Sequence, residues 1–103
     1  MVKINIMYPK RKGVKFNFDY YMKTHLPLLK QRFGKSLKGI EVYHGSTKKE
    51  GYGSPFIAIV SLTMESIEDF QEVFKQHSRE LITDNKNFAN SNPILQINKQ
   101  VPA

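Results

Sequence analysis

The stretch FIAIVSLT, residues 56–63, carries apolar side chains on both of its alternating sets: Phe56, Ala58, Val60 and Leu62 on one, Ile57 and Ile59 on the other. A strand that is apolar on both faces is covered on both faces. This segment therefore asks for a helical layer on one side of a sheet and for a second cover on the other. Residues 2–8 alternate as well, with Val2, Ile4, Ile6 and Tyr8 opposite Lys3, Asn5 and Met7, and read as a first strand. KGIEVYHGS (38–46) places Ile40, Val42 and His44 opposite Glu41 and Tyr43, and ILQINKQV (94–101) closes the chain as a fourth strand. TKKEGYGSP (47–55), with two glycines and a proline, is the loop that delivers the chain to the central strand.

Two helical segments separate these strands. Asn17 is placed to cap the first, with Asp19 in its first turn, a stripe at helical spacing through Phe18, Tyr21, Met22, His25, Leu28, Leu29, Arg32 and Phe33, and Gly34 as the stop. Ser66 and Asp69 open the second in the manner of a capping box, followed by Ile67, Phe70, Val73, Phe74, His77 and Leu81 at helical spacing. TDNKNFANSNP (83–93) then reads as a polar connection holding one large apolar side chain, Phe88. The order is β-α-β-β-α-β, which right-handed crossovers fold into an α+β ferredoxin-like sandwich: a four-stranded antiparallel sheet with both helices on one face. The simplest cover for the other face is a second copy of the chain, two sheets stacking into a dimeric α+β barrel.

At 103 residues the chain is a single domain, 1–103, able to bury roughly 60–65 % of its unfolded surface. The absence of cysteine removes disulfide frameworks, thiolate metal sites and cysteine nucleophiles together. The start MVKINIMYP does not form a secretory h-region, and the longest apolar run is far below the roughly 18 residues of a membrane span, so a soluble, cytoplasmic protein is expected. The net charge of +7 is uneven: residues 1–49 carry 12 Lys and Arg against 2 acids, the remainder 4 against 7. Solvated loops account for such clusters, and so does attraction of an anionic ligand or of the acidic half of another subunit. Nucleic acid is not the expected partner, since the third strand has a single aromatic residue where base-stacking platforms carry several.

The chemistry concentrates in FNFDYYMKTHLP, residues 16–27. Pro27 cannot donate to the carbonyl of Lys23 and its ring clashes with it, so a break is expected beside His25, with a gap in the packing next to an imidazole. His25 is there either a buried core histidine or a general acid or base. Tyr21, four residues earlier, shares its face and is placed to donate a hydrogen bond to whatever His25 holds; Tyr20 points about 100° away. His77 lies on the inner stripe of the second helix, in a shared pocket or in an unrelated position. Asp84 either caps a final turn or orients His77. Three histidines (25, 44 and 77) without an acidic partner one turn away give no metal-ligand spacing, so no metal is expected. A phosphate-cradling glycine loop, Gly-x-Ser-x-Gly and paired carboxylates are also missing.

Taken together, these segments resemble the EthD family of the dimeric α+β barrel superfamily. FNFDYYMKTHLP is similar to the family's Phe-x-x-Asp-Tyr-Tyr-x-x-x-His-x-Pro pattern through Phe16, Asp19, Tyr20, Tyr21, His25 and Pro27. HSRELITDNKNFANSNPILQI is similar to its C-terminal pattern through His77, Asp84, Asn87, Phe88, Pro93, Gln96 and Ile97, with Ala89 where a threonine is common. The resemblance implies a homodimer with a small-molecule pocket in each subunit. The family is commonly labelled reductase or oxidoreductase without a demonstrated cofactor, and none is expected here. An enzyme of this kind would perform cofactor-independent proton transfer, isomerisation, cyclisation or oxidoreduction on a small oxygenated or aromatic compound, with His25 as base and Tyr21 as donor. Tyr20, Asp19, His77, Asp84 and Phe88 are the expected ligand contacts, and His44, outside both patterns, is assigned to structure. The alternative is a non-catalytic accessory protein that binds or sequesters a small hydrophobic metabolite.

Overall fold

A computed structural model describes residues 1–46 and 53–102, so most of the loop expected at 47–55 lies outside the described residues. The strands are β1 (Val2–Pro9), β2 (Leu37–His44), β3 (Phe56–Met64) and β4 (Ile94–Lys99), arranged β2-β3-β1-β4 with every neighbouring pair antiparallel. This is the ferredoxin-like order that the β-α-β-β-α-β reading requires. Between β1 and β2 run α1 (Phe18–Tyr20), a π-helical turn (Tyr21–His25), α2 (Leu26–Phe33) and a 3-10 turn (Gly34–Ser36); α3 (Ile67–Asn85) joins β3 to β4. No helix of the described residues is long and apolar enough to cross a membrane.

The caps act as the sequence prescribes. The Asn17 side chain accepts from the Tyr20 amide, and Ser66 Oγ accepts from the Asp69 amide. Gly34 takes a positive φ of 54° while its amide bonds the Lys30 carbonyl, a conformation that a side chain would strain. The helix-facing side of the sheet presents Ile4, Ala58, Val60, Leu62 and Met64, none of them exposed, to a core completed by Leu29, Phe33, Phe70 and Leu81. Phe33 of α2 stacks on Phe70 of α3 at 5.9 Å, and Arg32 holds Glu80 through two bonds of 2.7 and 3.0 Å, which together fix the helix pair. His44 stacks on Phe18 at 4.1 Å, a packing role.

Two local expectations are corrected. Met22 was expected on the inward stripe but is 46 % exposed, because the wide π-helical turn rotates the stripe onto Tyr21, His25, Leu26, Leu29 and Phe33. The second helix was expected to end before Thr83 but continues to Asn85. Asp and Asn are weak helix formers, and tertiary hydrogen bonds from Asp84 and Asn85 hold this last turn.

Register also defines the face turned away from the helices. Cross-strand partners share a face, so Tyr43, Ile59, Met7 and Ile94 form one apolar row across all four strands. The next row is Glu41, Ser61, Asn5 and Gln96, and the one after holds Thr63, Lys3 and Asn98. The uncovered face is thus apolar at one end and polar over the rest, more mixed than Ile57 and Ile59 alone imply.

Candidate functional site

Pro27 accounts for the geometry at His25. A regular helix would drive its ring into the Lys23 carbonyl. The chain instead widens for one turn, so that the Leu26 amide reaches back to the Tyr21 carbonyl, and Pro27 falls in the first turn of α2, where a missing N–H costs nothing. The expected break is therefore a π-helical turn, and His25 is its last residue. The imidazole is 6 % exposed.

A second segment closes over it. The Asn17 amide donates to the Phe88 carbonyl at 2.7 Å, Phe16 bridges Ala89, and Asn90 binds both the Lys15 amide and the Gly13 carbonyl at 2.8 Å. The loop before α1 is thereby stitched to the segment after α3. This lays the Phe88 ring against His25 at 4.6 Å, Tyr21 at 4.9 Å and Phe16 at 5.3 Å.

The same stitching brings the end of α3 to His25. Nδ1 of His25 lies 2.8 Å from Oδ2 of Asp84, whose Oδ1 accepts from the Tyr20 hydroxyl at 2.6 Å and from the Asn87 amide at 2.9 Å. Burial opposes ionisation of Asp84, yet the bonds from Tyr20, Asn87 and His25 outweigh it and hold the carboxyl below its usual range. An ionised carboxylate only accepts, so Nδ1 carries the proton and Nε2 is left with a free lone pair. Burial pulls the His25 pKa below its ordinary value, and the bond to Asp84 only partly restores it, so the ring is neutral near pH 7.

With Nδ1 committed to Asp84, Nε2 is the ring nitrogen left for the cavity that His25 lines. The cavity, about 360 Å³, lies between the helices and the sheet. Its wall is mainly apolar, with Leu29, Phe33, Leu62, Phe70, Leu81 and Leu95, and is punctuated by His25, Tyr8, Asn85 and Asn92. Tyr8 donates its hydroxyl proton to Asn85 Oδ1 at 2.5 Å, and Asn85 Nδ2 donates to the Ser91 carbonyl at 3.1 Å.

Of the residues singled out in the sequence, His25, Tyr20, Asp84 and Phe88 come together. Tyr21 packs against His25 with ring centroids 5.0 Å apart, but it is 1 % exposed and does not line the cavity; the hydroxyl that joins the network is that of Tyr20. Tyr20 reaches Asp84 because its offset from the stripe points it at the end of α3 rather than at the sheet. His77 lines a separate open groove outside the two helices, with Leu28, Glu80 and Asp84, and Asp19 is exposed in the first turn of α1. Asp84 thus orients His25, and its carboxylate neither orients His77 nor caps a backbone amide. Sequence reasoning missed Tyr8 and Asn85. Tyr8 is the polar tip at the end of the inward set of β1, and Asn85 follows Leu81 by one turn once α3 is allowed to continue.

This wiring gives stability a pH sign. The fold favours neutral His25, so as pH falls below the ordinary value of 6.5 the unfolded chain takes up the proton first. The contribution is full above 6.5 and is lost as pH falls through the lower folded value; Asp84, also depressed, adds a loss of the same sign at more acid pH. The urea midpoint is expected to fall between about pH 7.5 and about pH 5.5, and to fall less in His25→Leu. An equal slope in both proteins would contradict this.

The family model for the EthD domain matches residues 15–92. No curated protein matches the chain. Among solved structures, an EthD-like protein from Ralstonia eutropha JMP134 is 30 % identical with a TM-score of 0.87, over 95 % of this chain and 89 % of that one. An EthD family protein from Bacillus halodurans C-125 is 21 % identical with a TM-score of 0.73, over 98 % and 99 %. HapK from Hahella chejuensis shares the fold at 10 % identity and a TM-score of 0.64, over 100 % and 95 %. The matched span contains the capped first helix, the π-helical turn with His25, and the α3 end with Asp84 and Phe88: the chain belongs to the EthD family.

Proposed function

We propose that the protein binds a small, largely apolar compound in the cavity between helices and sheet and performs cofactor-independent proton transfer on it, with Nε2 of His25 as general base. The observation that carries this reading is the Asp84–His25 pair: a half-buried carboxylate fixes the Nδ1–H tautomer and leaves a neutral imidazole nitrogen for the 360 Å³ cavity that His25 lines. Asp84 also stabilises the imidazolium that forms on proton uptake, and Tyr20 and Asn87 hold Asp84 in place. Isomerisation or cyclisation of an activated C–H or O–H compound is the matching reaction class. The apolar lining favours a second reading, a non-catalytic accessory protein that sequesters a hydrophobic metabolite.

Proton exchange separates the two. A panel of small aromatic ketones and phenols incubated with the protein in deuterated water is expected to show catalysed exchange at one carbon, reduced about 10²–10⁴-fold in His25→Ala while binding persists. Binding without exchange in either protein supports the sequestering role instead.

A second copy is proposed to cover the outer sheet face through the row Tyr43, Ile59, Met7 and Ile94. Sedimentation at micromolar concentration is expected to give twice 12.0 kDa, and Ile59→Lys to reduce it to that single value. A mass of 12.0 kDa for the unaltered chain would end this proposal.

A further inference from the structure

Two of the polar groups set into the inner wall of the cavity, His25 and Tyr8, present acceptors, while Asn85 accepts from Tyr8 and gives one of its two amide N–H groups to the Ser91 carbonyl. His25 gives its Nδ1–H to Asp84, so its cavity edge offers only the Nε2 lone pair. Tyr8 gives its hydroxyl proton to Asn85, so its oxygen has only lone pairs left to offer. The direction of that bond is fixed by Ser91. Its backbone carbonyl can only accept, so the Asn85 nitrogen must face it and the Asn85 oxygen must face Tyr8. Burial holds the Tyr8 phenol far above its ordinary range, so it stays protonated and keeps this bond at any pH near neutrality. Asn92, exposed on the cavity's rim, is in contact with water, which competes for its hydrogen bonds.

The geometry points to a ligand selected as a hydrogen-bond donor: an aromatic or alicyclic compound bearing hydroxyl or enol O–H groups, received by the acceptors Nε2 of His25 and Oη of Tyr8. This inference rests on the cavity being the ligand site proposed above, and it names the ligand class. An ether or ester of the same shape buries both acceptors without a partner. A carboxylate brings a charge into an apolar chamber against two lone pairs. Discrimination follows from the cost of stranding buried polar groups, which rejects an analogue lacking its hydroxyl more strongly than any apolar contact can. The acceptors also have unequal duties. His25 takes the proton, while Tyr8 orients the ligand and is therefore a specificity-determining residue.

Three probes of one ring system test this by calorimetric titration of the protein: 2-naphthol, 2-methoxynaphthalene and 2-naphthoate. The naphthol is expected to bind at least about ten-fold more tightly than the methyl ether or the carboxylate. Tyr8→Phe is expected to reduce that preference by about three-fold or more while weakening ether binding little. Equal affinity for naphthol and ether overturns the donor requirement and leaves the cavity as a ligand site. A preference that survives unchanged in Tyr8→Phe removes Tyr8 from the assignment. Binding of none of the three overturns both the inference and the ligand-binding reading on which it rests.

Discussion

Asp84→Asn is expected to slow proton transfer by about 10²–10⁴-fold while the protein stays folded. The orientation of the new amide is settled by its neighbours. The Tyr20 hydroxyl and the Asn87 amide both donate to Oδ1, so the carbonyl oxygen of the asparagine stays on their side and its nitrogen replaces Oδ2 opposite His25. That nitrogen can only donate. Nδ1 must then accept, the imidazole proton moves to Nε2, and the edge facing the cavity changes from base to donor. Since the substitution is nearly isosteric, its cost in stability is about 1–2 kcal/mol, from exchanging a charge-assisted hydrogen bond for a neutral one. Nitrogen-15 shifts of the His25 ring read the tautomer directly. A ring that keeps its proton on Nδ1 in the variant, or a rate within three-fold of the parent, would show that Asp84 does not set the base. The same switch should shrink the preference for the naphthol over its methyl ether, because an ether oxygen can accept from the new Nε2–H.

Phe88→Ala is expected to lower the unfolding free energy by about 3–5 kcal/mol, a large share of the 5–15 kcal/mol typical of a domain of this size. The ring is buried and meets Tyr8 at 5.9 Å, Phe16 at 5.3 Å, Tyr21 at 4.9 Å and His25 at 4.6 Å, three of them edge-on and one tilted. Nothing on the rigid sheet can move in to refill so large a gap. The loss is local as well as global, because Phe88 is also the residue whose carbonyl ties down Asn17, the cap of the first helix. Urea denaturation measures the first effect, and hydrogen exchange in residues 16–26 measures the second, with protection expected to fall there before it falls in β1 and β3. A destabilisation under about 1 kcal/mol would mean that the aromatic cluster is loosely packed and that another group holds His25 in place.

Periodicity in FIAIVSLT and its neighbours determined four strands, two helical passes and their order, because local burial patterns repeat with the geometry of the element that carries them. Caps at Asn17, Ser66 and Gly34 were legible for the same reason, each being a bond within three or four residues. The kink at Pro27 was legible too, since a missing amide acts within one turn; its form, a π-helical turn that turns Met22 outward, was not, because a clash states what a helix avoids and not how it relaxes. His25 and Asp84 were each visible as residues. Their pairing was decided by bonds between segments about 60–75 positions apart: Asn17 to Phe88, Lys15 to Asn90, Phe16 to Ala89. The tertiary bonds of Asp84 and Asn85 hold α3 three residues beyond where propensity would stop it, and Tyr20 rather than Tyr21 supplies the hydroxyl of the network. Tyr8 and Asn85 entered the cavity wall by the same route. A sequence displays which faces are apolar; which polar groups exchange protons depends on distances of 2.5–3 Å, and only the folded chain sets those.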